Sequence, residues 1–362
     1  MTAVNKDDAP SSGIGSFLRR HSIDTRPLRN APYRRLFIGE AVGNFGFQFT
    51  AVAVPVQMFH LTRSSLWVGL LGVAGLVPLL VFALWGGAIA DVVDRRRLLI
   101  TSSILMWTVP IGLFTLALFD PANLGRAGPW LLLAFTAVQG GAFATSHPTR
   151  RAIVVRLIPR HELPAANTLS TTVFNLGIVA GPLAAGLLVK DAHFGAAYAV
   201  DAVLFTVVLW AAVKLPPIPP LREDEAPTGR AAGWRDIGEG LRFLVTAPVL
   251  WLSFAIDIAA MVLAMPRSLF PEVAAERFGP GAIGWLYAAI SIGAVVAGLT
   301  SGWIGRVRRQ GLALVVAVVV WGLAVAGAGL AETIWLVVLL LAIGGAADLV
   351  SAVYRQTILQ TY

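Results

Sequence analysis

The feature that most constrains this chain is the recurrence of apolar runs, each close to 20 residues long, along most of its length. A run of about 20 apolar residues is what an α-helix needs to cross the hydrocarbon core of a bilayer. Only 13% of the residues are charged, whereas a soluble domain carries about 25%. The sequence therefore predicts an all-α membrane protein.

Ten membrane spans can be placed in the sequence. They fall near 36–60, 67–90, 98–119, 129–148, 165–189, 195–214, 246–270, 282–304, 311–331 and 333–354. With the N-terminus in the cytoplasm, only five of the 28 Lys and Arg residues fall in outer loops. Because cytoplasmic loops carry the excess of basic residues, we predict that the N-terminus is inside.

A polar, proline-rich stretch divides the chain after the sixth span. It begins Leu-Pro-Pro-Ile-Pro-Pro at residue 215, and prolines with mixed charge are typical of a linker. The predicted organisation is a cytoplasmic tail at 1–34, a six-span half at 35–214, a cytoplasmic linker at 215–245 and a four-span half at 246–362.

The loop between the second and third spans joins acidic residues to arginines. It reads Gly87-Ala-Ile-Ala-Asp91-Val-Val-Asp94-Arg95-Arg96-Arg97. This resembles the Gly-x-x-x-Asp-Arg/Lys-x-Gly-Arg/Lys-Arg/Lys loop of the major facilitator superfamily. The matching residues are Gly87, Asp91, Arg95 and Arg96, whereas Val92 and Asp94 depart from the pattern. The Asp-Arg-Arg-Arg ending of the loop resembles the same loop in the bacterial branch that includes enterobactin-type siderophore exporters and transmembrane secretion effectors. Without the resemblance, the loop is also compatible with a simple positive-inside loop.

The fifth span contains Gly177-Ile-Val-Ala-Gly181-Pro182-Leu-Ala-Ala-Gly. Spaced glycines give a helix a flat face for close packing, and an internal proline bends it. The pattern resembles the Gly-x-x-x-Gly-Pro-x-x-Gly-Gly motif of exporters in the superfamily, which favours export over uptake. An ordinary kinked packing helix is the alternative interpretation.

Three landmarks of the first half recur in the second half at a constant offset of 211 residues. They are Pro55 with Pro266, Gly87 with Gly298, and Arg95 with Arg306. Two parallel six-span halves are the architecture of the resembled superfamily. Since the second half holds four predicted spans, we expect the chain to lack spans eleven and twelve.

Polar residues inside spans are candidates for a substrate or proton pathway, because intramembrane charge costs about 2.5–3.5 kcal/mol on insertion scales. The candidates are Glu40, Asn44, Gln48, Gln139, Asp257 and Asp348. Asp257 is the leading candidate for carrying a coupling proton. Asp348, like Asp201 of the sixth span, could face a cavity or pair with Arg355. Hydrogen bonding between helices explains the amides equally well.

The resemblance implies a secondary transporter that exports a small amphipathic molecule against inward proton flow. It further implies a monomer in the cell membrane, surrounded by lipid and without a cofactor. Uptake by the same fold, or a truncated fragment that does not transport, are the alternatives. The sequence lacks paired histidines, a nucleophile elbow and a phosphate-binding loop, so an enzyme, a metal site and a primary pump are not expected. The basic residues lie in alternate loops between the spans, and this distribution disfavours a nucleic-acid partner.

Overall fold

The computed structural model describes residues 24–118, 127–218, 251–252, 255, 265–301, 307 and 309–361. Within these ranges, the side chains of 84–92 and 358–361 are not described. Helices dominate, and no strand occurs in the described part of the chain. The predicted all-α fold is therefore confirmed.

Six long helices form the first half. They are α1 (Ala31–Thr62), α2 (Ser65–Val92), α3 (Arg95–Leu118), α4 (Ala127–Leu157), α5 (Leu163–Val189) and α6 (Phe194–Val213). Successive helices run in opposite directions, so their junctions alternate between two ends of the bundle. We call the end that carries Arg34, Arg95, Arg151 and Lys214 the basic end, and the end that carries Arg63 and Lys190 the far end.

The described part of the second half starts at the far end with short turns. A 3-10 turn, Pro266–Leu269, is followed by α7 (Phe270–Val273) and a π-helical turn, Ala274–Phe278. Three long helices come next, α8 (Ile283–Leu299), α9 (Gln310–Leu330) and α10 (Ile334–Thr361). α10 packs between α8 and α9, and the backbones of α8 and α10 approach closely at Gly293 and Gly345.

Eight described helical stretches are long and apolar enough to cross a membrane. They are Ser65–Ala83, Arg95–Leu118, Ala127–Leu157, Arg160–Val189, Phe194–Val213, Pro280–Leu299, Gln310–Leu330 and Ile334–Thr357. The predicted first span is a continuous helix, α1, but its amides and glycines lower its hydropathy and it is not one of the eight. Most of the predicted seventh span lies outside the described residues, so the division into ten spans stays a prediction.

Helix α1 packs against α6 through a row of glycines. A Cβ atom on Gly39 would lie 2.9 Å from the Ala211 side chain, one on Gly43 would lie 2.4 Å from the Val208 side chain, and one on Gly46 would lie 3.0 Å from the Leu204 side chain. Small residues of this kind let helix backbones approach closely in membranes. The glycine face fixes the rotation of α1, so that its amide-bearing face turns towards α5 and the centre of the bundle.

Each of the first five helices contains an internal proline. These are Pro55 in α1, Pro78 in α2, Pro110 in α3, Pro148 in α4 and Pro182 in α5. An internal proline removes one backbone hydrogen bond and allows a helix to bend. Helices α6, α8, α9 and α10 contain no proline over the ranges given above.

The loop between α2 and α3 is fixed within the first half. Asp94 caps α3, since its Oδ1 atom accepts hydrogen bonds from the backbone N–H groups of Arg96 at 2.8 Å and Arg97 at 3.1 Å. The Arg96 guanidinium donates to the carbonyl of Val213 at the end of α6, at 2.6 Å. The departure at Asp94 from the resembled loop pattern therefore has a local structural role.

The boundaries of the first half lie slightly outside those that the sequence predicts. α1 begins at Ala31 rather than at 35, and Tyr33 is fully buried. At the other boundary, the Arg95 N–H donates to the Ile218 carbonyl at 3.1 Å. Ile218 is buried in a cluster with Leu99, so the first residues of the predicted linker pack on the first half.

The two halves meet near the far end. A Cβ atom on Gly186 of α5 would lie 2.6 Å from the Cα atom of Gly284 in α8, and one on Gly284 would lie 2.9 Å from the Pro182 carbonyl oxygen. The Ser65 hydroxyl at the start of α2 donates a hydrogen bond to the carboxylate of Glu272 in α7. These contacts close the far end between the halves.

Candidate functional site

A cavity of about 660 Å³ lies beneath the far-end contacts. Small-molecule sites in proteins typically have volumes of about 300–1,000 Å³. Among the described residues its wall comes mainly from the first half, and the described part of the second half contributes Arg267, Tyr287 and Ser291. Aromatic side chains form much of the wall, and they are Phe47, Phe143, Phe174, Phe205 and Tyr287.

Four of the predicted pathway residues line this cavity, and they are Glu40, Asn44, Gln48 and Gln139. Asn44 donates from Nδ2 to the carbonyl of Phe174 on α5 at 3.3 Å. Ser170 of α5 donates to the Glu40 carboxylate at 3.3 Å. The α1 side chains therefore both face the cavity and contact the neighbouring helix, so the two sequence interpretations of the amides are compatible.

The glycine motif of α5 is in contact with the amides of α1. The space that a side chain on Gly177 would fill is taken by the Asn44 amide, and a Cβ atom on Gly181 would lie 2.5 Å from the Gln48 side chain. Pro182, the next residue, lines the cavity. The glycine motif of α5 thus leaves space for the α1 amides beside the cavity. The sequence did not reveal this contact between the glycine motif and the predicted pathway residues.

Charged groups line the cavity towards the basic end. His147 and Arg150 of α4 lie in its wall with Glu40, and Glu40 interacts electrostatically with both. The His147 ring stacks on Phe143 with centroids 5.3 Å apart. The Nη1 atom of Arg150 is buried and has no hydrogen-bond partner among the described residues.

The sequence prediction included neither His147, which lies within the predicted fourth span, nor Arg150, which lies beyond its predicted end at 148, whereas α4 continues to Leu157. Helical spacing could have identified them. Gln139, Phe143 and His147 recur every four residues, and Arg150 follows three later, so all four share one helix face.

The remaining predicted site residues have varied positions. Asp348 of α10 is half-buried and interacts electrostatically with Arg267, but it does not belong to the cavity wall. Asp257 lies outside the described residues, and Gly87 and Asp91 lie on α2 where side chains are not described. Arg96 connects the α2–α3 loop to the end of α6, and Arg95 connects it to Ile218 beyond that end.

From the sequence, Asp201 could face a cavity or pair with Arg355, and in the structure it neither lines this cavity nor pairs with Arg355. Its carboxylate is buried between α6 and α1, where it accepts a hydrogen bond from the Thr50 hydroxyl. Among the described residues, no three His, Cys, Asp or Glu side chains are grouped as metal ligands would be.

Comparison with known proteins agrees with this architecture. The family described as transmembrane secretion effector matches residues 23–362. The enterobactin exporter EntS of Shigella boydii serotype 18 is 29% identical over 335 residues, covering 91% of this chain and 77% of the relative. The EntS protein of Citrobacter koseri is 28% identical over the same share of each chain.

Solved transporter structures share the fold at low sequence identity. The nucleoside transporter NupG superposes with a TM-score of 0.67 at 11% identity, covering 91% of this chain and 82% of that one. A D-xylose–proton symporter gives a TM-score of 0.66 at 13% identity, covering 89% and 81%. With the helical bundle and the matching family, these likenesses show that the chain is a multi-pass cell-membrane protein of the transmembrane secretion effector family, within the major facilitator superfamily.

Proposed function

We propose that this transporter exports a small amphipathic molecule from the cytoplasm in exchange for an inward-moving proton. The observation that carries the proposal is the cavity, which extends from charged groups near the basic end to the closed contacts at the far end. The abundance of Lys and Arg at the basic end favours its placement in the cytoplasm. In this conformation, cytoplasmic substrate would therefore reach the cavity, and the α5–α8 contact would block its exit.

The cavity wall suits a molecule with both aromatic and polar parts. Aromatic rings such as Phe47 and Phe174 offer stacking surfaces, while Gln48 and Gln139 offer amide donors and acceptors. The nearby charges of Glu40 and Arg150 can orient a polar group. Enterobactin, named as the cargo of the EntS relatives, is therefore a reasonable first probe.

The test measures accumulation of enterobactin and of a panel of amphipathic dyes in inverted membrane vesicles with an imposed proton gradient. We expect accumulation that requires the protein and that a protonophore abolishes. Equal accumulation with and without the protein, across the whole panel, would contradict export. Accumulation confined to right-side-out vesicles would establish uptake instead.

A matched pair of variants connects transport to the cavity. Gln48→Trp places a bulky ring in the cavity wall, so we expect it to abolish accumulation. Ile38→Trp places the same ring on α1 at a side chain that is 41% exposed on the outside of the bundle, so we expect accumulation to persist. Equal activity of the two variants would show that the substrate does not pass through this cavity.

A further inference from the structure

We propose that Asp201 of α6 and Thr50 of α1 form the site that binds the coupling proton. The inference rests on the proposed proton-coupled export, and it assigns the proton to a carboxyl group outside the cavity wall. The predicted carrier, Asp257, lies outside the described residues, so the assignment depends on Asp201 and its own surroundings.

The Asp201 carboxyl is fully enclosed by protein. Asp201 is 2% exposed and Thr50 is 1% exposed. The Thr50 hydroxyl donates to Oδ2, while Oδ1 has no hydrogen-bond partner in the part of the chain that the structure describes. Asp201 lies seven residues into α6, which begins at Phe194, and is therefore about 10 Å along the helix axis from its far-end start.

The described helices packed around Asp201 offer no charge to neutralise it. No charged or titratable residue occurs between 41 and 59 of α1, between 98 and 118 of α3, or within α5 from 163 to 189. On α6 itself the titratable neighbour is Tyr198, whose hydroxyl donates to the Gln57 side chain at 2.6 Å. An ionised carboxylate in the membrane interior is costly when no partner is present, so a proton is the ligand that would neutralise this carboxyl.

A metal cation fits the site poorly. Hard cations such as Ca²⁺ and Mg²⁺ take about six or more oxygen ligands. Here Asp201 meets a single hydroxyl, and no group of three metal-ligating side chains occurs among the described residues. A proton needs only one oxygen atom, and it forms one O–H bond on arrival and breaks the same bond on release.

The position of the site connects proton binding to the cavity. Gln48 and Ala51 of α1 line the cavity on either side of Thr50 in sequence, and Phe205 of α6, one helical turn from Asp201, lines it as well. A Cβ atom on Gly46 would lie 3.0 Å from Asp201 Oδ1, so α1 lies directly against the carboxyl. A protonated carboxyl becomes a donor and can reverse its hydrogen bond with Thr50. Proton binding can therefore shift α1, and with it one wall of the cavity.

The first test detects the proton itself in the purified protein. Infrared spectroscopy as a function of pH should show a carboxylic-acid C=O band in the wild type that Asp201→Asn removes. Asp191→Asn, which changes an exposed carboxyl in the turn before α6, is the matched control and should retain the band. Persistence of the band in Asp201→Asn would overturn the assignment.

The second test separates proton coupling from transport in proteoliposomes with enterobactin as the probe. We expect Asp201→Asn to lose proton-driven accumulation but to retain counterflow exchange, which needs no proton gradient. Proton-driven accumulation at the wild-type level in Asp201→Asn would overturn the proposal, as would accumulation driven by a sodium gradient alone. A wild type without any transport would refute the proposed function, while the infrared result would still decide the proton site.

Variants of Thr50 keep the proposal testable if Asp201→Asn does not fold. Thr50→Val preserves the side-chain shape but removes the hydroxyl that donates to Asp201, so we expect it to move the pH profile of the infrared band. Thr50→Ser retains a hydroxyl and should restore the wild-type profile. Identical profiles for both variants would overturn the proposal that Thr50 and Asp201 together form the proton site.

Discussion

Enlarging one glycine at the contact between the halves should open the far end of the transporter. A Cβ atom on Gly186 would lie 2.6 Å from the Cα atom and 2.7 Å from the N atom of Gly284. Both are backbone atoms, which cannot move aside as a flexible side chain can. Gly186→Ala must therefore separate α5 from α8 in the conformation described here.

The size of the effect follows from the cost of overpacking. Extra methyl groups in close-packed interiors cost about 1–3 kcal/mol, and the clash exists only while the far end is closed. The equilibrium should therefore move towards the conformation open at the far end by roughly 5–150-fold. Gly284→Ala should act in the same direction, because its Cβ atom would lie 2.9 Å from the Pro182 carbonyl oxygen.

Labelling of a single cysteine can measure this shift, since the natural sequence contains no cysteine. Ala51→Cys places a thiol in the cavity wall. A membrane-impermeant maleimide added outside intact cells should label it slowly, and Gly186→Ala should accelerate the labelling.

Two control variants distinguish opening from general loosening. Gly281→Ala lies in the same far-end region with no heavy atom within 4 Å of the added Cβ, so the labelling rate should not change. Gly293→Ala overpacks α8 against α10 inside the second half, and should lower thermal stability without selective labelling from outside. Equal labelling rates in Gly186→Ala and Gly281→Ala would refute the view that the glycine crossing closes the cavity.

Three further predictions concern local contacts. Tyr198→Phe leaves the buried Gln57 oxygen without its 2.6 Å hydrogen bond, which should lower stability in detergent by about 0.6–1.7 kcal/mol; an unchanged melting temperature would contradict this. Asp94→Ala removes the cap of α3 at a cost of about 1 kcal/mol, and hydrogen exchange at the start of α3 should increase, whereas Asp94→Ser should retain protection. Hydrogen bonds from Arg26 lower the pKa of Asp24 to about 2, so their pairing should persist above that pH and weaken only as pH falls towards it. A transition near the ordinary Asp value of about 3.9, seen by NMR titration of Asp24, would exclude the pairing.

More of the fold than of the candidate site could be predicted from the sequence. Span length and basic-loop asymmetry depend on bulk properties of the bilayer, so helices such as α3 and α6 lie close to their predicted ranges. The end of α4 was less predictable, because hydropathy falls at Arg150 while the helix continues to Leu157. High hydropathy marks residues that contact lipid. Polar residues that face a cavity can lie on the same spanning helix, so a fall in hydropathy does not mark its end.

Tertiary contacts determine the functional grouping, and sequence spacing does not encode them. Asn44 and Gly177 are far apart in the chain, yet the amide occupies the space beside the glycine. In the sequence, Asp201 resembles the other intramembrane acids, because its hydrogen-bond partner Thr50 lies on another helix. The polar residues inside the predicted spans gave both the acidic and the amide candidates. Which of these side chains face the cavity depends on the rotation of α1, which Gly39 and Gly43 set against α6.

The distribution of prolines makes the described long helices of the two halves mechanically unequal. Five helices of the first half each lack an interior backbone hydrogen bond at proline, while α8, α9 and α10 are uninterrupted over their described ranges. Bending stiffness should therefore be lower in these five helices than in α8, α9 and α10. During a transport cycle we expect these compliant helices to change shape around their cargo, while the stiffer helices act as the fixed surface against which they bend.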